Sequence, residues 1–409
     1  MNKALYAILS FLAFGILSQL VYASSVTPAW SLGAWTNSTT YPTQISFQSC
    51  SISNSYIYCM GGFNGTSSTN ATYFAKITKS GIGNWTATTP YPYYVQNAAC
   101  VTYLSYIYCV GGTSVENPVN QTFFAKISAS GIGNWTQTST YPSAVSYQSC
   151  NTYDGNIYCV GGGNGFGGSN DSTFFAGLGP SGIGAWRATA PYPINISSES
   201  CVVNDTYLYC VGGISGQNST ASAYYTTLNS AGNSEWTPTT PYPAALSGES
   251  CAASNGNIYC TGGYSLNSTN NYTQNYTKAT FYAPLKSTGI GQWAQTTNYP
   301  FPSSGESCNS YNNFIYCIGG AYLSYSTGIS IFAPLTNPNN PTSTTTMPVT
   351  TITKVSTGNT TNQSGAGTTT TPTSQGSNAI YLIVLFLVVL ILLMVAALYL
   401  FNRKPASQK

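Results

Sequence analysis

The 409-residue chain contains no histidine, and that absence removes a large share of enzyme chemistry. Without imidazole there is no serine or cysteine triad with a histidine base, and no histidine-ligated metal centre. Charge is nearly as scarce. Asp, Glu, Lys and Arg together make up 5% of residues, against about 25% in ordinary soluble domains. All eight acidic residues lie within residues 24–335, beside six basic ones, Lys76, Lys79, Lys126, Arg187, Lys278 and Lys286. No basic stripe is available to neutralise phosphates, which argues against a nucleic-acid partner. Eight carboxylates and no imidazole also leave few groups to titrate, so stability is expected to change little in acid.

Composition divides the chain into regions. Residues 1–23 hold one lysine, Lys3, then an apolar run and Val21-Tyr22-Ala23, the pattern of a cleavable signal peptide. Residues 336–378 are Thr, Ser, Asn, Gly and Pro with almost no large apolar side chain. Such a segment cannot offset its ordering entropy by burial, so an extended stalk is expected, open to O-linked sugars. Residues 379–401 are an uncharged apolar stretch; as a helix it is about 35 Å long, enough to cross a hydrocarbon core of about 30 Å. The tail, residues 402–409, carries Arg403, Lys404 and Lys409. Basic flanks stay in the cytoplasm. The expectation is a single-pass type I protein of the cell membrane with residues 24–335 facing outside.

That outer region is where the sequence is richest. Twelve cysteines form six pairs, each nine positions apart: Cys50 and Cys59, Cys100 and Cys109, Cys150 and Cys159, Cys201 and Cys210, Cys251 and Cys260, Cys308 and Cys317. The second of each pair follows a tyrosine and precedes a glycine pair within one residue, as in Tyr58-Cys59-Met60-Gly61-Gly62. The first follows a proline by eight residues, and that proline follows a tryptophan by seven, from Trp35-Pro42-Cys50 to Trp293-Pro300-Cys308. A period of roughly fifty residues points to a propeller or a solenoid. Placing Asn54-Ser55 on a two-residue turn makes Cys50 and Cys59 a non-hydrogen-bonded cross-strand pair, with Cα atoms near ~4.5 Å, at the short end of disulfide geometry. The same register puts Asp154-Gly155 and Asn255-Gly256 on the turn, the pairs that type I′ hairpins prefer. All six pairs are expected to be disulfides within their own repeat. A third strand follows each glycine pair, and a fourth carries the tryptophan. Four short antiparallel strands per unit make a propeller blade.

The run Ile57-Tyr58-Cys59-Met60-Gly61-Gly62 and the tryptophan followed by proline seven positions on resemble the kelch-repeat propellers, over residues 30–335. Two departures are plain. Cysteine stands where the first two strands usually carry an aliphatic residue, and the arginine that often follows the proline is absent. The resemblance implies an all-β, six-bladed propeller. The copper chemistry of kelch-type oxidases needs imidazole ligands and cannot be carried over. Because the sixth unit has no tryptophan strand after it, the surplus strand around Ala34-Trp35-Thr36 is expected to complete it, fastening the chain ends and removing an open edge.

Candidate sites are few. Glu199, Glu249 and Glu306 each stand two residues before the first cysteine of their unit, where Gln48, Ala98 and Gln148 stand in the others. On innermost strands they should ring one mouth of the channel. Three readings remain open for them: hydrogen bonds to a neighbouring blade, a ligand or Ca²⁺ site, or a carboxylate pair for glycoside hydrolysis. The Tyr-Pro dipeptides at Tyr41, Tyr91, Tyr141, Tyr192, Tyr242 and Tyr299 either pack the blades or form a platform for sugars. Among many Asn-x-Ser/Thr sequons, Asn64, Asn70, Asn120, Asn170, Asn218, Asn267, Asn271 and Asn275 lie in loops after the glycine pairs and are candidate glycosylation sites. No cofactor and no metal are implied. The expected role is non-catalytic recognition or adhesion toward a glycan or protein ligand, on the face formed by the blade-connecting and glycine-pair loops. A structural envelope glycoprotein and an extracellular carboxylate-dependent hydrolase are the alternatives.

Overall fold

The computed structural model describes residues 30–163, 168–267, 273–323 and 325–337. The expected signal peptide, membrane segment and tail, and nearly all of the stalk, lie outside these residues. Among the described residues no helix is long and apolar enough to cross a membrane.

The described chain is a six-bladed β-propeller. In the first blade the strands run Ser49–Ser53, Tyr56–Met60 and Thr72–Thr78, followed by a broken outer strand in two pieces, Gly81–Ile82 and Thr86–Ala87. Both pieces pair with the third strand, Ile77 opposite Ile82 and Phe74 opposite Thr86. Gly81, at φ 106°, makes the break possible, because a Cβ there would strike Ser38 and the Phe332 ring. The expected single fourth strand is therefore a kinked one.

The hairpin register is the expected one. Cys50 faces Cys59, Ser53 faces Tyr56, and Asn54 and Ser55 both take positive φ. Each of the six cysteine pairs is a disulfide inside its own blade. Cys50 is bonded to Cys59, Cys100 to Cys109, and Cys150 to Cys159. Cys201 is bonded to Cys210, Cys251 to Cys260, and Cys308 to Cys317. The Cα–Cα distances are 4.0–4.1 Å, shorter than the separation expected of a bare cross-strand pair, because the bridge draws the two strands together. The second cysteines, Cys59, Cys109, Cys159, Cys210, Cys260 and Cys317, are fully buried. Asp154-Gly155, Asn255-Gly256 and Asn312-Asn313 repeat the doubly left-handed turn, whereas in the second and fourth blades only the first turn residue, Leu104 or Asp205, is left-handed.

The core is divided among the blade junctions. Tyr58 and Met60 of the first blade pack with Val95, Ile107, Ala125 and Ile127 of the second, and each further junction has an equivalent cluster. The ring closes where Tyr316, Ile318 and Phe332 of the sixth blade meet Ile45 and Ile57 of the first. The sixth blade is completed by the N-terminal segment: Leu32 pairs with Leu335 and Thr36 with Phe332, both on the strand Ser330–Thr336. Leu32 is buried, and its main chain joins Thr296 of the fifth blade in the same two-way contact that Ile82 makes with Ser38 and Ile132 with Thr88. Removing residues 30–39 should expose the strand 330–336 and cost the packing of Leu32 together with its ladder. The expected result is aggregation or a lost cooperative transition in thermal unfolding; an unchanged melting curve would show that the sixth blade closes without this segment.

Candidate functional site

The mouth of the channel is built by one backbone device used six times. Three residues before each first cysteine the chain turns left-handed, at Phe47, Asn97, Tyr147, Ser198, Gly248 and Gly305, with φ between 56° and 66°. The turn aims the N–H of each at the carbonyl of its counterpart one blade back. Asn97 donates to Phe47, Tyr147 to Asn97, Ser198 to Tyr147, Gly248 to Ser198, Gly305 to Gly248, and Phe47 to Gly305, at 2.7–3.2 Å. This belt of six hydrogen bonds encircles the axis. Four of the six positions are not glycine, although an L-residue in this conformation costs about 1–2 kcal/mol. Such strain is maintained where the side chain serves a purpose. The Phe47 ring covers Gly305 and meets the Tyr147 ring edge-on at 6.5 Å.

Immediately below lie the five sequence-predicted site residues. Gln48, Gln148, Glu199, Glu249 and Glu306 all line one cavity of about 180 Å³ at the mouth, so the structure does bring them together. Each, however, is at most 6% exposed. Their side chains point sideways, toward the first glycine of the preceding blade's pair. A Cβ on Gly319, Gly111, Gly161, Gly212 or Gly262 would meet Gln48, Gln148, Glu199, Glu249 or Glu306 respectively. The two glutamines donate to the neighbouring main chain, Gln48 Nε2 to Ile318 O at 2.6 Å and Gln148 Nε2 to Val110 O at 2.8 Å. Glu306 accepts one bond from Ser303 Oγ, while neither oxygen of Glu199 or Glu249 has a well-formed partner.

Burial dominates the chemistry of these carboxyls. Desolvation raises Glu199 to about 8 and Glu306 to about 7, and pushes Glu249 well above the usual carboxylate range. Nearby N–H groups of Glu199 and Ser149 pull the Glu199 value the other way without forming a good hydrogen bond. No group of acidic side chains among the described residues is arranged to hold a metal ion, so the Ca²⁺ option finds no geometry. Blade-to-blade contact is the role their positions support.

The Tyr-Pro tyrosines are packing residues. Each is buried, and each meets a blade tryptophan edge-on, from Tyr41 against Trp85 at 4.8 Å to Tyr299 against Trp35 at 5.2 Å. They form no platform. Of the candidate glycosylation sites, Asn64, Asn218, Asn267 and Asn275 are exposed and Asn120 is half-buried. Asn70 and Asn170 spend the side-chain nitrogen on main-chain carbonyls of Tyr91 and Gly162. Asn271 lies outside the described residues.

What the sequence reading missed is a larger cavity of about 520 Å³ on the loop face, centred on blades three to five and reached by Phe47 of the first blade and Ser304 of the sixth. Its walls are Phe47 and Tyr147 from the belt, Ser197 and Ser198, and the fifth-blade insertion, which folds as a hairpin of Tyr264–Asn267 with Thr273–Tyr276. Tyr276 packs at a tilt against Tyr264 and edge-on against Tyr322, and its hydroxyl bridges to Gln274 and to the Leu323 carbonyl, tying the hairpin to the sixth blade. The insertion was visible as the longest loop after a glycine pair; the contribution of Phe47 and Tyr147 was not, since it depends on the left-handed turn. Among the described residues no charged side chain lines this cavity.

No protein-family model matches the chain. No curated protein matches it either. Among solved structures it is similar to "Structure of YjhT", with a TM-score of 0.63 and 14% identity, covering 73% of this chain and 97% of that one. At that identity the likeness shows the fold, a β-propeller, and leaves its use open.

The glycines separate two kinds of constraint. Gly248 is left-handed, but a Cβ there would come no nearer than 3.3 Å to Tyr264, whereas at Gly212 a Cβ would run into the Glu249 carboxyl. Gly248→Ala should cost about 1 kcal/mol, the backbone term alone. Gly212→Ala should cost roughly 3 kcal/mol, because overpacking adds to that strain. Urea unfolding of the two variants checks this, and equal losses would mean that the Glu249 side chain is not seated on Gly212.

Proposed function

We propose that the propeller is a non-catalytic recognition module, displayed outside the cell on a stalk and a single membrane helix, and that it binds neutral saccharide on its loop face. The observation that carries this reading is the 520 Å³ cavity with Phe47, Tyr147, Tyr264 and Tyr276 in its walls, serine hydroxyls and amide side chains between them, and no charge among the described residues. Its size suits a small ligand or the end of a chain. Aromatic faces offer flat apolar contact, while tyrosine and serine hydroxyls can pair with a ligand rich in hydroxyls. A charged peptide or a phosphate would find no counter-charge there. Tyr147 is 38% exposed, unusual for an aromatic residue held in a left-handed turn.

A second reading, a structural envelope glycoprotein, draws on the exposed sequons. Asn218, Asn267 and Asn275 stand on short hairpin strands of the same face. Sugars there would crowd the cavity rim. Intact-mass measurement of glycan occupancy at these three positions separates the readings, since full occupancy together with no ligand on a glycan array favours the structural role.

Full-length protein in detergent should bind neutral glycans on such an array. Tyr147→Ala or Tyr276→Ala should weaken that binding about tenfold or more while the protein stays folded. Glu249→Gln, outside the cavity, should leave it unchanged. Binding that survives both tyrosine changes but fails with Glu249→Gln would move the site to the channel mouth and reopen carboxylate chemistry.

A further inference from the structure

The chain has eight acidic residues. Five of them, Glu116, Asp154, Asp171, Asp205 and Glu235, are exposed, and the other three are Glu199, Glu249 and Glu306 inside the blade junctions. The junctions supply their own controls. In the first and third blades a glutamine occupies the equivalent position and donates its amide to the carbonyl of the residue after the second cysteine of the preceding blade, Ile318 or Val110. The glutamate ends lie in the same place. A Cβ built on Gly161 would come 3.0 Å from Glu199 Oε1, just as one built on Gly111 would come 3.1 Å from Gln148 Nε2, and Glu249 and Glu306 likewise meet Gly212 and Gly262 through Oε1. The carbonyls equivalent to Ile318 and Val110 there are those of Val160, Val211 and Thr261, each within a strand ladder and with a second lone pair to offer.

A carboxylate in that position has acceptors facing an acceptor, and a buried charge without a counter-ion. A carboxylic acid has one O–H to donate and reproduces the glutamine bond. From the repeat of this geometry we infer that Glu199, Glu249 and Glu306 are neutral acids in the folded protein, each donating a hydrogen bond to the preceding blade, and that the propeller is built to be most stable in acidic surroundings.

The electrostatic surroundings agree. The side chains acting on these carboxyls are each other, Tyr141, Tyr192, Tyr242, Tyr264 and Tyr299, with Ser303 on Glu306, and no lysine or arginine is among them; the main-chain N–H of each glutamate, and that of Ser149 for Glu199, favour the charged form but are outweighed by desolvation. Tyrosines that are neutral below their raised values cannot stabilise a carboxylate by charge. Folded values near 7 to 8 and above stand against about 4.3 in the unfolded chain. Between those limits the folded state holds protons that the unfolded state releases, so stability is full below the unfolded value and falls as pH rises toward the folded ones. The low count of titratable groups had suggested little pH dependence. Three of the few are placed to create it, on the neutral rather than the acid side.

The test is thermal and urea unfolding of the full-length protein from pH 3 to 9, alongside Glu199→Gln, Glu249→Gln, Glu306→Gln and the triple variant. The wild type should be most stable near pH 4, and its unfolding equilibrium constant should rise by up to about tenfold per pH unit for each group across the window. The triple variant should lose most of that slope and exceed the wild type at pH 8; the five exposed acids are common to both and cancel. Should the triple variant fail to fold, infrared spectra of the wild type at pH 6 and of the single variants decide. A protonated-carboxyl stretching band that diminishes in each single variant supports the inference, and its absence overturns it. A wild-type profile that is flat or rises from pH 4.5 to 8 overturns it as well, as does a folded triple variant less stable than the wild type at pH 8.

Discussion

The belt of six main-chain hydrogen bonds around the channel mouth is the constraint on which the remaining geometry depends. It passes through one left-handed residue per blade, from Phe47 to Gly305, and returns to its start. Because that residue reverses the local direction of the chain, the next side chain is turned away from the axis and into the junction. The junction can accept it only if the preceding blade offers bare backbone, which is what the first glycine of each pair provides. The second glycine, as Gly62 or Gly112, then donates its N–H to Val95 or Val145 of the following blade. Turn, sideways side chain and glycine pair are thus one unit, and the same unit sets Phe47 and Tyr147 upright at the rim.

Outside this belt the blades are joined by repeated contacts that do not use charge. Tryptophan indoles donate to carbonyls one blade back, Trp85 to Thr39 and Trp135 to Thr89, and the seam is no exception, since Trp35 reaches Thr297. Serines preceding the first cysteine accept from the cysteine N–H of the next blade, as Ser49 does from Cys100 and Ser307 from Cys50. In the second blade alanine replaces both this serine, at Ala99, and the junction glutamine, at Ala98. Net charge is therefore a poor guide to what holds this protein together. Disulfides inside blades and neutral hydrogen bonds between them take the place that surface ion pairs occupy elsewhere.

Much of this was legible in the residues. Cysteine spacing with Asp154-Gly155 and Asn255-Gly256 determined the hairpin register, which sets Cys150 opposite Cys159 and Cys251 opposite Cys260. The missing tryptophan strand of the sixth unit pointed to the N-terminal segment as its completion, and the structure has it there. The direction of Glu199, Glu249 and Glu306 was not legible. Simple alternation along the inner strand cannot reveal it, because the left-handed residue before each one breaks the alternation, and by residue type only Gly248, Gly305 and, more weakly, Asn97 advertise that turn. The tyrosines of the Tyr-Pro pairs were ambiguous for a different reason. Their burial depends on a tryptophan 44 residues later in the first blade, Trp85 for Tyr41, and no local pattern reports that contact. The loop-face cavity combines both difficulties, drawing walls from left-handed positions and from a hairpin in the fifth blade.

A ring held in this way should behave as one cooperative body, unlike an open array whose repeats loosen separately. Native-state hydrogen exchange of the full-length protein at pH 4 tests this most directly, comparing the belt amides of Phe47, Asn97, Tyr147, Ser198, Gly248 and Gly305 with those of Leu32 and Thr36 at the seam. One shared free energy of opening, close to that of global unfolding, is the predicted result. Seam amides that exchange through a much smaller opening, while belt amides of the middle blades stay protected, would contradict it and show a ring that opens where the chain ends meet.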